Sequence, residues 1–171
     1  VAAAVVLPFP CHLPGLNDSK LLTVNQRERL YDLILEAALD WSIGKETAGA
    51  IDRHNILQAS LRAMEKAVKG LAHPSDSLIV DGRQRIPLLL PQETLVRGDR
   101  LSVSVAAASI LAKVTRDRLM SRYDRRFPGY GFASHKGYPT QAHLFALSRL
   151  GPCPIHRLSF SPLRDRLPSS K

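Results

Sequence analysis

Two carboxylates in the middle of the chain stand where chemistry could be done. Asp81 closes the run S-L-I-V-D-G at 77–82, in which three apolar residues lead directly into an acid and then a glycine. A carboxylate at the end of a buried strand costs free energy unless a hydrogen bond, a counter-charge or a metal satisfies it. Asp99 follows Gly98 and stands just ahead of S-V-S-V-A-A-A-S-I-L-A-K-V-T-R-D-R-L-M. In α/β sheets functional groups gather at the carboxyl ends of strands, and acids brought together there repel unless a divalent cation bridges them. Hard oxygen ligands suit Mg2+ or Mn2+. Such an ion activates water and stabilises the leaving oxygen in phosphodiester cleavage. Each acid also has a bland reading. Asp-Gly is a common turn dipeptide, and an acid ahead of a helix is favoured by the macrodipole.

Two further groups could meet a substrate. Ser109, Lys113 and Arg116 fall on one helical stripe and have the chemistry to contact phosphate oxygens, although a solvated helix face would look the same. The loop F-P-G-Y-G-F-A-S-H-K-G-Y-P at 127–139 mixes rings, glycines, His135 and Lys136. Rings stack on bases or sugars, and glycines let the backbone approach them. Phe127 and Phe132 are expected to pack onto the core, and Tyr138 beside H-K-G is the better candidate for contact. His156 in P-I-H-R reads as structural. The chain has no Gly-rich nucleotide loop, no G-x-S-x-G, no zinc pattern and no paired-cysteine motif.

Charge narrows the partner. Lys and Arg number 24 against 15 Asp and Glu, a formal charge of +9, with an isoelectric point near 10.1. That excess points to a polyanion, most simply nucleic acid. With 171 residues, 44% hydrophobic and 23% charged, the chain suits one domain with a real core. No apolar run is long enough to span a bilayer. The opening V-A-A-A-V-V-L-P-F-P has no basic residues ahead of it and reads as a strand, not a signal peptide. Cys11 and Cys153 are expected to be free thiols in a reducing compartment.

The elements that must position these groups alternate between strand and helix, which predicts an α/β domain. A buried strand is expected over 2–7 and a loop over 8–20. T-V-N-Q at 23–26 is a capping box opening a helix to about Ala38, with Leu30, Leu33, Ile34 and Ala37 on one face. A strand over 40–46 and a short helix over 48–53 follow. Asn55 is placed to cap the next helix, which Gly70 ends. L-I-V-D-G reads as a parallel strand buried on both faces. Residues 86–97 read as loop plus a short strand. A long helix then carries Val103, Ala107, Ile110 and Val114 on one stripe. A loop over 127–138 and a helix from Thr140 to Leu150 complete the domain. The proline-rich basic tail is expected to fray.

Four stretches in this order carry a resemblance: G-L-N-D-S-K at 15–20, V-D-G at 80–82, G-D-R-L-S-V-S-V-A-A-A-S-I-L-A-K-V-T-R-D-R-L-M at 98–120 and G-Y-G-F-A-S-H-K-G-Y-P-T at 129–140, followed by P-I-H-R-L-S-F at 154–160. Together they closely resemble bacterial ribonuclease HII, the type 2 ribonuclease H. The related ribonuclease HIII fits less well, because its extra N-terminal domain is absent and H-K-G-Y is more typical of HII. The resemblance implies a ribonuclease H-like fold, a mixed five-stranded sheet flanked by helices, over residues 1–160, with a flexible basic tail at 161–171. It implies Mn2+- or Mg2+-dependent endonucleolytic cleavage of RNA in RNA–DNA hybrids and incision at ribonucleotides embedded in duplex DNA, leaving a 3′-hydroxyl and a 5′-phosphate. Asp81 and Asp99 match metal-binding acids of the family. Tyr138 matches the tyrosine that packs on the deoxyribose beside the ribonucleotide. Lys20, Ser109, Lys113 and Arg116 match polar positions near the nucleic-acid path. A cytoplasmic location is expected from the absent signal and from the expected DNA substrate. A monomer is expected, and the tail R-D-R-L-P-S-S-K shows no clear peptide for a sliding clamp.

One departure outweighs any match. The family opens with Asp-Glu-x-Gly-Arg-Gly, which supplies two more catalytic carboxylates and a backbone contact to the ribose 2′-hydroxyl. This chain contains no such motif, and V-A-A-A-V-V-L-P corresponds to the stretch just after it. The expectation is an N-terminally truncated member with an incomplete first strand and little or no nuclease activity. The competing reading is a non-catalytic nucleic-acid-binding protein.

Overall fold

A computed structural model describes residues 1–16, 18–19, 21–73 and 75–166. The chain divides into two compact units, one formed by residues 1–45 and 60–115, the other by 46–59 and 116–171.

In the first unit, β1 (Ala2–Val6) pairs antiparallel with β2 (Asp40–Gly44), Ala2 opposite Gly44 and Val6 opposite Asp40. Between them runs α1 (Val24–Ala37). Thr23 caps it as the sequence predicts. Its hydroxyl accepts the Gln26 amide, while the Gln26 side chain accepts the Thr23 amide at 2.8 Å. Leu30, Tyr31 and Ile34 of α1 pack on Ala107, Ile110, Leu111 and Val114 of α3 (Val103–Arg126), and this cluster is the core of the unit. The three-and-four spacing of both sets is the reason the helices can share one apolar seam.

A parallel pair completes the unit, β3 (Leu78–Asp81) beside β4 (Gln92–Leu95), with Asp81 opposite Leu95. The strands therefore form two separate two-stranded sheets, and no described strand joins them. Burial of β3 on both faces does not hold. Val80 is buried, but Ile79 is 48% exposed. Val80 and Ile79 point to opposite faces of the strand, so only the Val80 face is covered and the short apolar run overstated the burial.

Helix α2 (Ala48–Lys69) contains a break at Asn55, whose φ of 64° and ψ of 168° are not helical. Its side chain accepts the Gln58 amide at 3.0 Å, so Asn55 caps the second segment as predicted.

In the second unit, α4 (Phe132–His135) is a single turn within the stretch predicted as loop, followed by α5 (Gln141–Leu150) with Thr140 as its cap. Gly131 and Lys136, both left-handed, bracket α4, and a turn that short leaves no periodicity to read. Tyr130, Phe132, Ala146, Leu147 and Leu163 form the core, with Met120, Tyr123 and Phe127 against it. Asp52 ties the start of α2 to P-I-H-R-L-S-F, accepting the Leu158 amide at 3.0 Å, the Ser159 amide at 2.9 Å and the Ser159 hydroxyl at 2.6 Å. Among the described residues no helix is long and apolar enough to cross a membrane.

Candidate functional site

The parallel pair builds the acidic site. Asp81 is the last residue of β3 and is exposed. After β4, Arg97 adopts a left-handed φ of 61° and turns the chain into a 3-10 turn, Gly98–Arg100. The turn brings the Gly98 amide to the Asp81 carboxylate, donating to Oδ1 at 3.0 Å. A Cβ on Gly98 would lie 3.1 Å from Val105 Cγ1 and 3.2 Å from Leu95 Cβ, so a larger residue would fit only if these side chains gave way by a few tenths of an ångström. Asp99, next in the chain, is 8% exposed. The question raised by an apolar run ending on an acid is thus answered in part by a backbone hydrogen bond. The turn that satisfies Asp81 is the one that carries Asp99.

The stretch G-L-N-D-S-K braces this turn. The Arg100 guanidinium donates to Asp18 Oδ2 from Nη2 at 3.0 Å and from Nε at 3.3 Å. Asp18 is buried, so this pair is shielded from water on the carboxylate side. The Ser19 and Ser109 hydroxyls lie 3.1 Å apart, tying the same stretch to α3. Sequence reasoning placed Ser109 as a phosphate contact and missed Asp18 and Arg100. Nothing in their spacing, 82 residues apart, announces an ion pair. A cavity of about 450 Å³ opens beside Asp99 and Arg100, walled by His12, Leu16 and Ala106. Lys20 lies outside the described residues, and Lys113 is half-buried on α3. Among the described residues no three His, Cys, Asp or Glu side chains group so as to hold a metal ion. Asp81 and Asp99, the two acids that the sequence assigns to this site, carry hard oxygen donors of the kind that suit Mg2+ or Mn2+.

The second unit presents Tyr138, 55% exposed. The Arg116 guanidinium lies 5.2 Å from its ring centroid and donates from Nη2 to the Lys136 carbonyl at 2.9 Å. The other terminal nitrogen, Nη1, is buried without a hydrogen bond and faces Asp117 Oδ1 at 3.8 Å. Lys136 donates from Nζ to the Ser121 hydroxyl at 3.0 Å. His135 is buried. Its Nε2 donates to the Tyr130 carbonyl at 2.7 Å and its Nδ1 accepts the Gly137 amide at 3.1 Å. His135 therefore shapes the H-K-G-Y loop from inside, with both ring nitrogens occupied.

Two more histidines continue this arrangement. His143 Nδ1 donates to the Tyr138 carbonyl at 2.9 Å. That leaves its Nε2 to accept from His156 Nε2 at 3.1 Å, while His156 Nδ1 accepts the Cys153 amide at 2.9 Å. The His135 and His143 rings stack with centroids 4.3 Å apart. All three tautomers are set by backbone partners, and the set is consistent only when the rings are neutral. A proton added to His143 Nε2 would face the His156 N–H, and one added to either Nδ1 acceptor would face an amide N–H. Burial pushes the His143 and His156 pKa values below the ordinary 6.5, and the neighbouring histidines add to the effect. Groups with a lowered folded-state pKa stabilise above the unfolded value and lose that contribution as pH falls. Thermal unfolding followed by circular dichroism is therefore expected to give a level midpoint above about pH 6.5, falling steadily below it. A midpoint that stays level well into the acid range would contradict the neutral assignment.

The model of the family described as Ribonuclease HII matches residues 1–162. The chain is 56% identical over 167 residues to a ribonuclease HII of Syntrophotalea carbinolica, covering 98% of this chain and 80% of that protein. It is 54% identical over 167 residues to one of Geobacter metallireducens, covering 98% and 78%. Among solved structures it is similar to ribonuclease H2 from Pyrococcus horikoshii OT3, with a TM-score of 0.73 and 24% identity over 88% of this chain and 79% of that one. It is also similar to Bst-RNase HIII in complex with Mn2+, with a TM-score of 0.57 and 18% identity over 88% of this chain and 56% of that one.

Proposed function

The chain belongs to the ribonuclease HII family, and from that premise we propose that its site serves metal-dependent hydrolysis of the RNA strand in RNA–DNA hybrids and incision at ribonucleotides embedded in duplex DNA. The observation that carries this reading is the Gly98 amide on the Asp81 carboxylate, which sets the end of β3 against the turn bearing Asp99. Asp81 and Asp99 would hold Mn2+ or Mg2+, leaving other coordination positions to water and phosphate oxygens. When bound, such an ion supplies an activated water and charge stabilisation at the leaving 3′ oxygen, giving a 5′-phosphate end. A cytoplasmic monomer acting on chromosomal duplex fits this chemistry.

Tyr138 is the proposed reader of the RNA–DNA junction, held by His143 through its carbonyl and flanked by the Arg116 guanidinium. Stacking of a nucleic-acid ring on an aromatic side chain contributes about 1–3 kcal/mol. Tyr138→Ala is expected to raise the Kd for a duplex bearing one ribonucleotide about tenfold or more, and Tyr138→Phe to leave it nearly unchanged. Fluorescence anisotropy measures both, and equal affinities for the two variants would remove Tyr138 from the interface.

The site supplies two acids where the family's chemistry uses four, and Asp-Glu-x-Gly-Arg-Gly is absent from the sequence. We therefore assign this chain weak or no cleavage. The second reading is a nucleic-acid-binding protein without catalysis. The two readings separate in a cleavage assay on duplex DNA containing one ribonucleotide, with Mn2+ or Mg2+. Metal-dependent nicking at the ribonucleotide supports the enzyme. A folded, binding-competent chain that never nicks, even when the missing acids are supplied, supports the binder.

A further inference from the structure

The far half of α3 carries charge that the proposed site does not use. Arg118, Arg122, Arg125 and Arg126 are all exposed. At 3.6 residues per turn they lie within about 100° of one another, on the side away from Met120 and Tyr123, which pack against the core of the second unit, and Arg126 at the edge of the stripe lies 5.8 Å over the Phe127 ring. Arg116, which meets Tyr138, points with that inner side, so the stripe is a different surface from the junction-reading loop.

Charge pairing along the helix does not account for the stripe. A solvated helix face ordinarily alternates acids with bases at three- and four-residue spacing. Here Arg122 has Arg118 four residues before it and Arg125 and Arg126 three and four after it. These like-charge neighbours destabilise a helix. None of the four has an acid three or four residues away on α3, because Asp117 and Asp124 fall on the flank. The macrodipole rewards cations in the last turn, which covers Arg125 and Arg126 but reaches neither Arg118 nor Arg122. The stripe extends about 12 Å along the axis at 1.5 Å per residue. One strand of a duplex presents a phosphate every 3.4 Å or so of its axis, so about four phosphates match four guanidinium groups.

We propose that Arg118, Arg122, Arg125 and Arg126 form a second nucleic-acid surface that grips the phosphate backbone of a duplex without reading its sequence or its sugar. It rests on the nucleic-acid reading of the chain but not on catalysis. Its ligand is the duplex backbone itself, so plain DNA and an RNA–DNA hybrid bind it alike.

The test is anisotropy of the full chain with a labelled DNA duplex lacking ribonucleotides, and with a hybrid of the same sequence, across a salt series without divalent ions. The Arg118→Gln, Arg122→Gln, Arg125→Gln, Arg126→Gln quadruple variant should flatten the slope of log affinity against log salt by about 3–4 on both duplexes. Its affinity at about 0.1 M salt should fall roughly a hundredfold. Each single Gln variant should flatten the slope by about one, which keeps the test decisive if the quadruple variant misfolds. Gln keeps helix propensity, so circular dichroism should show the helix content kept. Slopes and affinities equal to those of the parent would overturn the proposal, as would a parent that binds neither duplex. Loss of binding to vesicles of anionic phospholipid, with duplex binding intact, would overturn it in favour of a membrane surface. Absence of cleavage leaves this result standing, and failure here leaves the cleavage assay to decide the site.

Discussion

Joined ahead of Val1 to a segment carrying Asp-Glu-x-Gly-Arg-Gly, the chain is expected to nick a ribonucleotide-containing duplex at least about 10²–10³-fold faster than it does as it stands, the scale on which single electrostatic groups act on a transition state. The reason lies in the donor count. On the proposed reading Asp81 and Asp99 share one hard cation, but Asp81 already accepts the Gly98 amide, and among the described residues no group of three His, Cys, Asp or Glu side chains could hold a metal ion. Hard divalent ions take six or more oxygens, and each carboxylate missing from the set weakens binding and loosens the position of the attacking water. In the extended chain, Asp99→Asn is expected to return cleavage to the level of the chain without the segment. Asp81→Asn should do the same, although its amide group would also meet the Gly98 N–H unless it turns its oxygen toward it. Single-turnover cleavage with Mn2+, at matched protein folding, measures all four proteins. If the segment brings no gain, the two-acid site is not the remnant of a four-acid one, and the binding-protein reading takes over.

What the sequence revealed about this site follows from how local each signal is. The capping box at Thr23, the Asn55 cap and the apolar stripe of α3 are short-range patterns, and all three appear in the fold, save that Val103 at the start of the stripe is 47% exposed while Ala107, Ile110 and Val114 are buried. Asp81 and Asp99 were legible because each ends or opens an element, so topology alone puts them near one strand end. The turn between them was not. It depends on Arg97 in a left-handed conformation and on a tightly packed glycine, neither of which a pattern of apolar residues encodes. His135 shows the opposite failure. A histidine in a glycine-rich aromatic loop resembles a ligand contact, yet it is buried in a ring stack whose other members lie 8 and 21 residues away. Such a stack forms through tertiary packing, and only the fold discloses it. The exposure of Ile79 has the same origin, because what packs on each face of a strand is not written in the strand.

Gly44→Ala is expected to destabilise the chain by about 3 kcal/mol or more, the upper range for forcing a methyl group into a packed interior. Gly44 is the last residue of β2 and pairs with Ala2 of β1. A Cβ there would fall 2.7 Å from the Ala67 amide nitrogen and 2.9 Å from the Ala63 carbonyl carbon, and closer still to the Ala63 carbonyl oxygen. These are backbone atoms of α2, so no side chain can swing aside, and relief requires the strand or the helix to move. Ala63 and Ala67 are themselves buried small residues, so the approach is close because three successive contacts lack bulk. Native domains are stable by only about 5–15 kcal/mol, so a loss of this size removes a large share of the margin. Gly49→Ala is the matched control. It sits in α2 with nothing within 4 Å of the added methyl, and exchanging glycine for the better helix former should leave stability level or raise it slightly. Trp41, the single tryptophan and a residue of β2, reports the transition by fluorescence in a urea titration. A midpoint for Gly44→Ala equal to that of Gly49→Ala would mean that β2 and α2 are not packed backbone to backbone. A large drop for Gly44→Ala alone would fix α2 against the β1–β2 pair, the support on which the core between α1 and α3 is laid.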